Sequence, residues 1–237
     1  MSRRVLTIIG VIVAIGVLAG GAVMARFWFG GGSGELSGEV TSEQLESEGS
    51  AQTVFRINKE ESEVSFEIDE DLMGNAITVV GVTQEIAGDI VVDFANPAAS
   101  QVGTLRINMR DLKTDNEFRN RALRSDILLT GQDDYEFSDL VPTELIGLPD
   151  AVTIGTPFTF QLAAIITLRG EPQPVTFDVT VTPVSETRIE GDAVAVVKYA
   201  DVGVEIPFLP PSVANVGDDV TLKLKFVAEA VVEDTSA

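Results

Sequence analysis

The stretch DVTLKLKFVAEA (219–230) decides the fold class of this chain, because its apolar and polar residues alternate almost without interruption. In a β-strand, successive side chains point to opposite faces of the sheet. A period of two over this length therefore predicts a strand with one buried face and one solvated face. The apolar positions are Val220, Leu222, Leu224, Phe226, Ala228 and Ala230, and the polar positions are Thr221, Lys223, Lys225 and Glu229.

The same alternation recurs in residues 157–168 and 174–182, and in the segment around Phe66. Further strands are expected near residues 76–83, 85–94, 101–109 and 187–199, which Gly, Asn, Asp or Pro residues separate. These patterns predict eight or nine strands in an all-β domain with one substantial helix. Strands of about ten residues are long for a sandwich and suit an antiparallel barrel, whose strands are tilted to its axis.

The stretch DLKTDNEFRNRALRSDI (111–127) predicts the helix. Thr114 followed three residues later by Glu117 indicates a capping box, in which each side chain bonds an unpaired backbone N–H of the first turn. Basic residues concentrate in or just before this stretch, namely Arg106, Arg110, Lys113, Arg119, Arg121 and Arg124. Guanidinium groups suit phosphate oxygens, which predicts an anion-facing helix. The alternative is that these side chains pair with the neighbouring acids Asp111, Asp115, Glu117 and Asp126.

Residues 1–29 are predicted to form a membrane anchor. Residues 5–25 carry no charge, and a helix of that length, at about 1.5 Å per residue, spans roughly the 30 Å core of a bilayer. A cleaved signal peptide is the alternative, but the apolar run is longer than the usual stretch of about 7–15 residues. Arg3 and Arg4 precede the run and Arg26 alone follows it. We therefore expect a single-pass protein of the cell membrane with a cytoplasmic N-terminus and an extracytoplasmic domain.

Residues 30–52 are expected to form a flexible linker, because they are dominated by Gly, Ser and Glu and show no sustained apolar period. Such a segment buries too little apolar surface to offset its ordering entropy. A flexible coil of this length reaches about 25 Å on average, which would leave the domain tethered but free to swivel. The barrel domain then occupies residues 53–232, and residues 233–237 form a short tail.

The composition excludes several functional classes. The chain contains no His and no Cys, which removes Ser-His-Asp and Cys-His catalysis, His-ligated metals and disulfides. A formal net charge of -21 argues against nucleic-acid binding, which depends on neutralising phosphates. The acidic pairs at 133–134 and 218–219 lack the regular spacing of a calcium loop. We predict a binding protein with no cofactor, metal or reaction, and a carboxylate-based hydrolase is the least favoured alternative.

Five separated segments resemble the YceI-like family of exported lipid-binding barrels. They are VGVTQEIAGDIVVDF (80–94), the helix segment, ITLRGEPQPVTFDV (166–179), KYADVGVEI (198–206) and VGDDVTLKL (216–224). Within the helix segment the matching residues are Thr114, Asn116, Arg119, Asn120, Leu123, Ser125, Asp126 and Ile127. The chain departs from the family pattern at Asn120, where Asp is usual, and at Ile127 and Val202, where aromatic residues are usual.

The resemblance implies a lipocalin-like, eight-stranded antiparallel β-barrel that holds a long apolar chain of isoprenoid or fatty-acyl type. The implied function is a membrane-tethered, extracytoplasmic binding or carrier protein for that lipid. Such a barrel is either filled by its own side chains or able to hold one small ligand, so a structural or adhesive envelope domain with a filled core is the alternative. The candidate lumen residues are Phe66, Ile68, Phe158, Phe160, Leu162, Phe177, Val179, Leu224 and Phe226. The candidate head-group residues are Arg110, Arg119, Arg121 and Arg124.

Overall fold

The computed structural model of the chain describes residues 34–206 and 214–231, which form an all-β, curled antiparallel half-barrel with one short helix. The strands in those residues are β1 (Thr53–Ile57), β2 (Glu63–Leu72), β3 (Asn75–Thr83), β4 (Ile86–Ala87), β5 (Asp89–Val92), β6 (Gln101–Val102), β7 (Leu105–Asn108), β8 (Phe137–Ile146), β9 (Phe158–Leu168), β10 (Glu171–Ser185), β11 (Arg188–Lys198) and β12 (Ala214–Ala230). The helix α1 (Glu117–Ala122) continues into a π-helical turn at Leu123–Ile127. Short 3-10 turns occupy Lys59–Glu61, Pro97–Ala99, Asp133–Tyr135 and Tyr199–Val202.

The all-β class is confirmed, and in the described residues the α-helix lies within the stretch 111–127 that predicted it but is much shorter than that stretch. The expected count of eight or nine strands is not confirmed. Twelve strands occur in the described part of the chain. The strand expected at 85–94 is divided into β4 and β5, and the strand expected at 101–109 is divided into β6 and β7. The divided strands change partners at the break, which alternation of apolar and polar residues does not reveal.

One long strand organises the sheet. Along one edge β12 pairs with β11, and its other edge is shared between β2 and β1. Val64 of β2 lies opposite Leu224, and Phe55 of β1 lies opposite Ala230. The sheet therefore divides into two arms at β12, one carrying β3 and the other carrying β5 and β6.

The sheet curls at the junction of β4 and β5. β4 pairs with β7 and β5 pairs with β1, and only Gly88 separates β4 from β5 along the chain. The amide of Ile57 donates to the carbonyl of Gly88 at 3.0 Å. This corner brings the two sides of the sheet together around an apolar interior.

The predicted alternation is confirmed in β10, where Val175, Phe177, Val179 and Val181 are buried and the residues between them are exposed. Burying an apolar side chain of this size contributes about 1.5–3 kcal/mol relative to leaving it in water. Most buried side chains join one main core, which includes strands from both arms. A second, smaller cluster contains Ile68, Val79 and Val220.

The half-barrel has two ends with different coverings. The helix end carries α1, the β2–β3 turn and the β9–β10 turn. The loop end carries the 147–157 loop between β8 and β9, the 93–100 segment and the β10–β11 turn. Antiparallel pairing fixes this arrangement, because β8 runs from the helix end to the loop end and β9 returns.

Helix α1 does not begin with the expected capping box. Asn116 is the N-cap, and its side-chain oxygen accepts from the amides of Phe118 (2.9 Å) and Arg119 (3.3 Å). The Thr114 hydroxyl instead donates to the side-chain oxygen of Asn120 at 2.8 Å. The capping-box prediction is wrong because Asn caps at least as well as Thr and lies directly before the first helical residue.

Residues 34–45, here called the strap, lie against the sheet. Val40 is 5% exposed although its neighbours in the sequence are Gly, Ser, Thr and Glu. Strap groups donate hydrogen bonds to Glu136, Thr104 and Asp89. This part of the chain therefore departs from the flexible coil expected for residues 30–52, because one buried apolar side chain and several hydrogen bonds hold it in place.

Within residues 34–206 and 214–231, no helix is long and apolar enough to cross a membrane. The anchor predicted at residues 1–29 and the tail predicted at 233–237 lie outside the described residues. Both stay predictions.

Candidate functional site

An apolar cavity of about 90 Å³ lies inside the loop end of the half-barrel. Side chains from both arms of the sheet line it, together with the loops that cover this end. Among the described residues that line the cavity, Asp93 and Ser100 are the two with polar side chains. The lining of the cavity is therefore apolar and suits contact with hydrocarbon groups.

The two polar residues are engaged in holding the 93–100 segment. One carboxylate oxygen of Asp93 accepts from the amides of Ala95 (3.0 Å) and Asn96 (2.8 Å). The Ser100 hydroxyl oxygen accepts from the Asp93 amide at 3.0 Å. These bonds shape the loop beside the cavity, because each one satisfies a backbone N–H that the sheet does not pair.

The structure brings most of the candidate lumen residues together. Those that line the cavity are Phe158, Phe160, Leu162, Val179, Leu224 and Phe226. The other three lie elsewhere in the interior: Phe177 is buried in the main core, Ile68 belongs to the second cluster, and Phe66 contacts both clusters. A ligand-binding role for these residues stays a prediction.

Ala193 on β11 borders the space that the cavity occupies. Gly191 lies opposite Phe226, and Ala193 lies opposite Leu224. A Cβ atom at Gly191 would approach the Phe226 ring to 2.6 Å, so only glycine admits the ring there. Ala193 lines the cavity, whereas Ala195, two residues further along the same strand, is equally buried at 5% and does not line it.

Sequence reasoning missed Ala193 and the lining residues of the other arm, such as Ile57 and Ile90. A usable signal was present, because Gly191, Ala193 and Ala195 occupy alternate positions of one predicted strand. Small residues along the inward face of a strand indicate unfilled space opposite large neighbours. The contribution of the other arm had no comparable signal, since it depends on the bend at Gly88.

The cavity is smaller than a typical ligand pocket, which measures about 300–1,000 Å³. An engineered apolar cavity of about 150 Å³ holds a molecule of benzene, so this one is too small for a long hydrocarbon chain as it stands. The rings of Phe158 and Phe160, whose centroids lie 6.0 Å apart, stack at the start of β9 and are only partly buried. Both rings line the cavity, so displacing them would enlarge it.

The four candidate head-group arginines are not among the described residues that line the cavity. They belong to α1, to the π-helical turn after it and to the segment before it, at the helix end. The structure therefore separates two groups of residues that the sequence analysis combined in one site.

Arg110 is committed to contacts within the protein. Its side chain is 8% exposed, and Nε donates to the Thr130 carbonyl at 2.7 Å. Nη2 donates to Asp133 at 2.9 Å, and Nη1 donates to the Glu35 carbonyl at 3.1 Å. Nη1 also lies 3.1 Å from Oε2 of Glu136, whose side chain is 1% exposed. All three guanidinium nitrogens are thus used in holding this end of the fold.

The carboxylate of Glu136 links the strap to the sheet. Its Oε1 accepts from the Ser37 amide at 2.9 Å and from the Asn108 side chain at 2.7 Å. Burial raises the pKa of Glu136, but the hydrogen bonds from Ser37 and Asn108, together with the charge of Arg110, outweigh burial and hold this pKa below its ordinary value of 4.5. Glu136 is therefore ionised at neutral pH, and its charge strengthens the bond to the strap.

The guanidinium of Arg119 also forms ion pairs, with Glu70 of β2 at 3.0 Å and with Asp115 at 2.8 Å. The first contact ties the helix to the sheet, because both side chains are mostly buried. The guanidinium of Arg124 lies beside Gly34, where the strap begins. A head-group role for these arginines, and for Arg121, stays a prediction.

Known proteins share this architecture. A family model described as the YceI-like domain matches residues 55–228. BcnA of Burkholderia cenocepacia is 17% identical and superposes with a TM-score of 0.58 over 72% of this chain and 98% of its own. A polyisoprenoid binding domain from Saccharophagus degradans, implicated in plant cell wall breakdown, is 15% identical, with a TM-score of 0.57 over 76% of this chain and 99% of its own.

The YceI protein of Campylobacter jejuni is also similar, at 15% identity and a TM-score of 0.52, over 65% of this chain and 85% of its own. At such identities these likenesses show the shared fold. No curated protein matches this chain.

Proposed function

This chain belongs to the YceI-like domain family, and we propose that it binds a long-chain lipid, of isoprenoid or fatty-acyl type, inside the half-barrel. The observation that carries the proposal is the apolar cavity at the loop end, which lies among six of the candidate lumen residues. The Saccharophagus degradans domain, which has the same fold, is described as a polyisoprenoid binding domain. We propose binding alone, with no reaction.

The energetics favour a holder or carrier over a permanent store. Each methylene group that leaves water for an apolar site contributes about 0.8 kcal/mol. A lipid that arrives from a bilayer leaves an environment that is already apolar, so most of this contribution cancels. The remaining affinity is small enough for the lipid to be released again.

We also infer that residues 1–29 hold the chain in the cell membrane, with the domain on the extracytoplasmic side. The support is the uncharged run at residues 5–25 and the excess of arginine before it. This location would place the half-barrel beside a supply of long-chain lipid.

The variant Ala193→Leu tests the proposal in a fragment of residues 34–237, which retains the strap. The larger side chain enters the existing cavity, so thermal stability is expected to stay unchanged or to rise. Capture of lipid is expected to be lost, because the added atoms occupy the space that the hydrocarbon needs. Mass spectrometry of lipid extracted after exposure to a polyprenol or a fatty acid measures the capture.

Ala195→Leu is the matched control, since Ala195 is as buried as Ala193 but lies away from the cavity. Overpacking there is expected to lower stability by about 1–3 kcal/mol and to leave lipid capture intact. If Ala193→Leu captured as much lipid as the unaltered fragment, the cavity would not be the binding site.

The small volume of the cavity favours a second candidate, a structural or adhesive envelope domain with a filled core. This alternative predicts that the unaltered fragment carries no stoichiometric lipid after purification. It also predicts that the fragment takes up none when lipid is supplied. The lipid-binding proposal predicts uptake in the same experiment.

A further inference from the structure

The helix end exposes large apolar side chains. Met73 is 71% exposed in the β2–β3 turn, and Phe118 is 57% exposed on α1. Met73 adopts a φ of 53°, a left-handed conformation that usually selects Gly, Asn or Asp. Exposing an apolar side chain to water is unfavourable, and the turn conformation does not favour methionine. Contact with an apolar surface would explain why Met73 occupies this position.

The elements that carry these side chains are tied to one another at the helix end. The Arg119–Glu70 ion pair, at 3.0 Å, ties α1 to β2 three residues before Met73. The π-helical turn after α1 carries Arg124, whose guanidinium lies beside Gly34. The strap therefore starts at the same end of the half-barrel as Met73 and Phe118.

The strap fixes where the chain approaches the membrane. Val40 is buried, and the amide of Ser37 donates to Glu136 at 2.9 Å, so the strap is bound to the sheet. Only residues 30–33 separate Gly34 from Phe29, the last residue of the proposed anchor. The Cα atoms of residues 29 and 34 are therefore at most about 18 Å apart. A connecting segment this short keeps the helix end near the bilayer.

We propose that the helix end rests on the outer surface of the membrane that holds the anchor, with Met73 and Phe118 in its headgroup layer. This inference rests on the anchor proposed above. The bilayer that fits is zwitterionic, because the chain as a whole carries a net charge of -21 and basic residues of the helix end, such as Arg119, are paired with acids. The loop end and its cavity then face away from this membrane, toward the extracytoplasmic compartment.

The proposal can be tested by site-specific labelling, because the chain contains no cysteine and any introduced cysteine is a unique labelling site. The full-length chain is reconstituted in phosphatidylcholine vesicles, with one nitrobenzoxadiazole label at Met73→Cys or Phe118→Cys. The controls carry the label at Ile154→Cys or Val184→Cys, which are 42% and 43% exposed at the loop end. Lipids with a nitroxide on the acyl chain are then added as quenchers.

Labels at the helix end are expected to be quenched at least about twofold more than labels at the loop end, because side chains in contact with the interface sit about 5–10 Å deep. Equal quenching at both ends, in a chain that floats with the vesicles, would overturn the orientation and leave the anchor intact. A chain that does not float would overturn the anchor and the orientation together. Neither result bears on lipid capture, which the Ala193→Leu comparison measures separately.

A second variant tests the strap itself. Val40→Asp, combined with Phe118→Cys, places a charge at a buried strap position and is expected to release the strap. The label should then lose quenching toward the level seen at Ile154→Cys, while flotation is kept. Unchanged quenching would show that the strap does not orient the domain.

Discussion

The helix end and the loop end of this half-barrel are closed by different kinds of interaction. At the helix end, Arg110 and Glu136 form a buried, hydrogen-bonded network that includes the strap. At the loop end, apolar side chains surround a void. Charged networks have few alternative geometries, whereas apolar side chains repack at modest cost. The helix end is therefore suited to keeping its shape, and the loop end to changing its volume.

The largest expected effect comes from Arg110→Ala, which would break the helix end. The variant leaves Glu136 buried without its cation, and the expected loss is about 3–5 kcal/mol in the free energy of unfolding. Urea denaturation of the 34–237 fragment measures it. Arg188→Ala is the control, because its ion pairs with Glu61 and Glu229 are exposed and should contribute little. Equal losses in the two variants would contradict the special role of the buried pair.

Leu162→Ala addresses the loop end. Leu162 is 6% exposed and lines the cavity, so truncation enlarges an existing void and is expected to cost about 2–5 kcal/mol. A small apolar ligand such as benzene should restore part of this loss, measured as a rise in the melting temperature. Leu112→Ala, at a buried position away from the cavity, should be destabilised without such rescue. Rescue of both variants would show that the void is not confined to the loop end.

Asn116→Ala is expected to have a smaller effect, of about 1 kcal/mol, because it removes the N-cap of α1. The loss of stability should be confined to α1. Hydrogen exchange of the α1 amides should accelerate, while exchange in β9 and β10 at the loop end stays unchanged. Faster exchange throughout the sheet would mean that the two ends do not act independently.

Acidification is expected to have the smallest effect, and to act at the helix end alone. The pKa of Glu136 is lowered, so its ionised form contributes stability that is complete above about pH 4.5 and is lost as the pH falls through its folded-state pKa. The Ser37 amide should exchange faster in that range. Glu136→Gln should show less pH dependence at this amide, and an identical profile would assign the effect to another group.

The sequence predicted the parts of the fold that depend on local periodicity. Strands such as β10 alternate strictly, because one face meets the core and the other meets water. The same pattern placed six of the candidate lumen residues on β9, β10 and β12 beside the cavity, and their ligand-binding role stays a prediction. The resemblance to the YceI-like family was carried by five short segments and is confirmed over residues 55–228.

The features that the sequence did not predict depend on contacts between distant residues. The bend at Gly88 changes strand partners without changing the alternation. The strap is rich in Gly, Ser and Glu, so its amino-acid composition does not reveal that Val40 and Glu136 attach it to the sheet. Pairing of the arginines with neighbouring acids was the stated alternative, and Arg119 does pair with Asp115. The partners Glu136 and Glu70 were not foreseen, because each lies far from its arginine in the sequence.

Under the proposed anchor, the strap would also determine how far the domain reaches from the membrane. With the strap bound, the free chain after the proposed anchor spans at most about 18 Å, whereas residues 30–52 released as one coil could extend to about 80 Å. The volume open to the domain would grow on the order of a hundredfold between the two states. If the proposed anchor holds the chain, the hydrogen bond from the Ser37 amide to Glu136 would therefore limit how far the half-barrel reaches from the membrane, and breaking it would extend that reach.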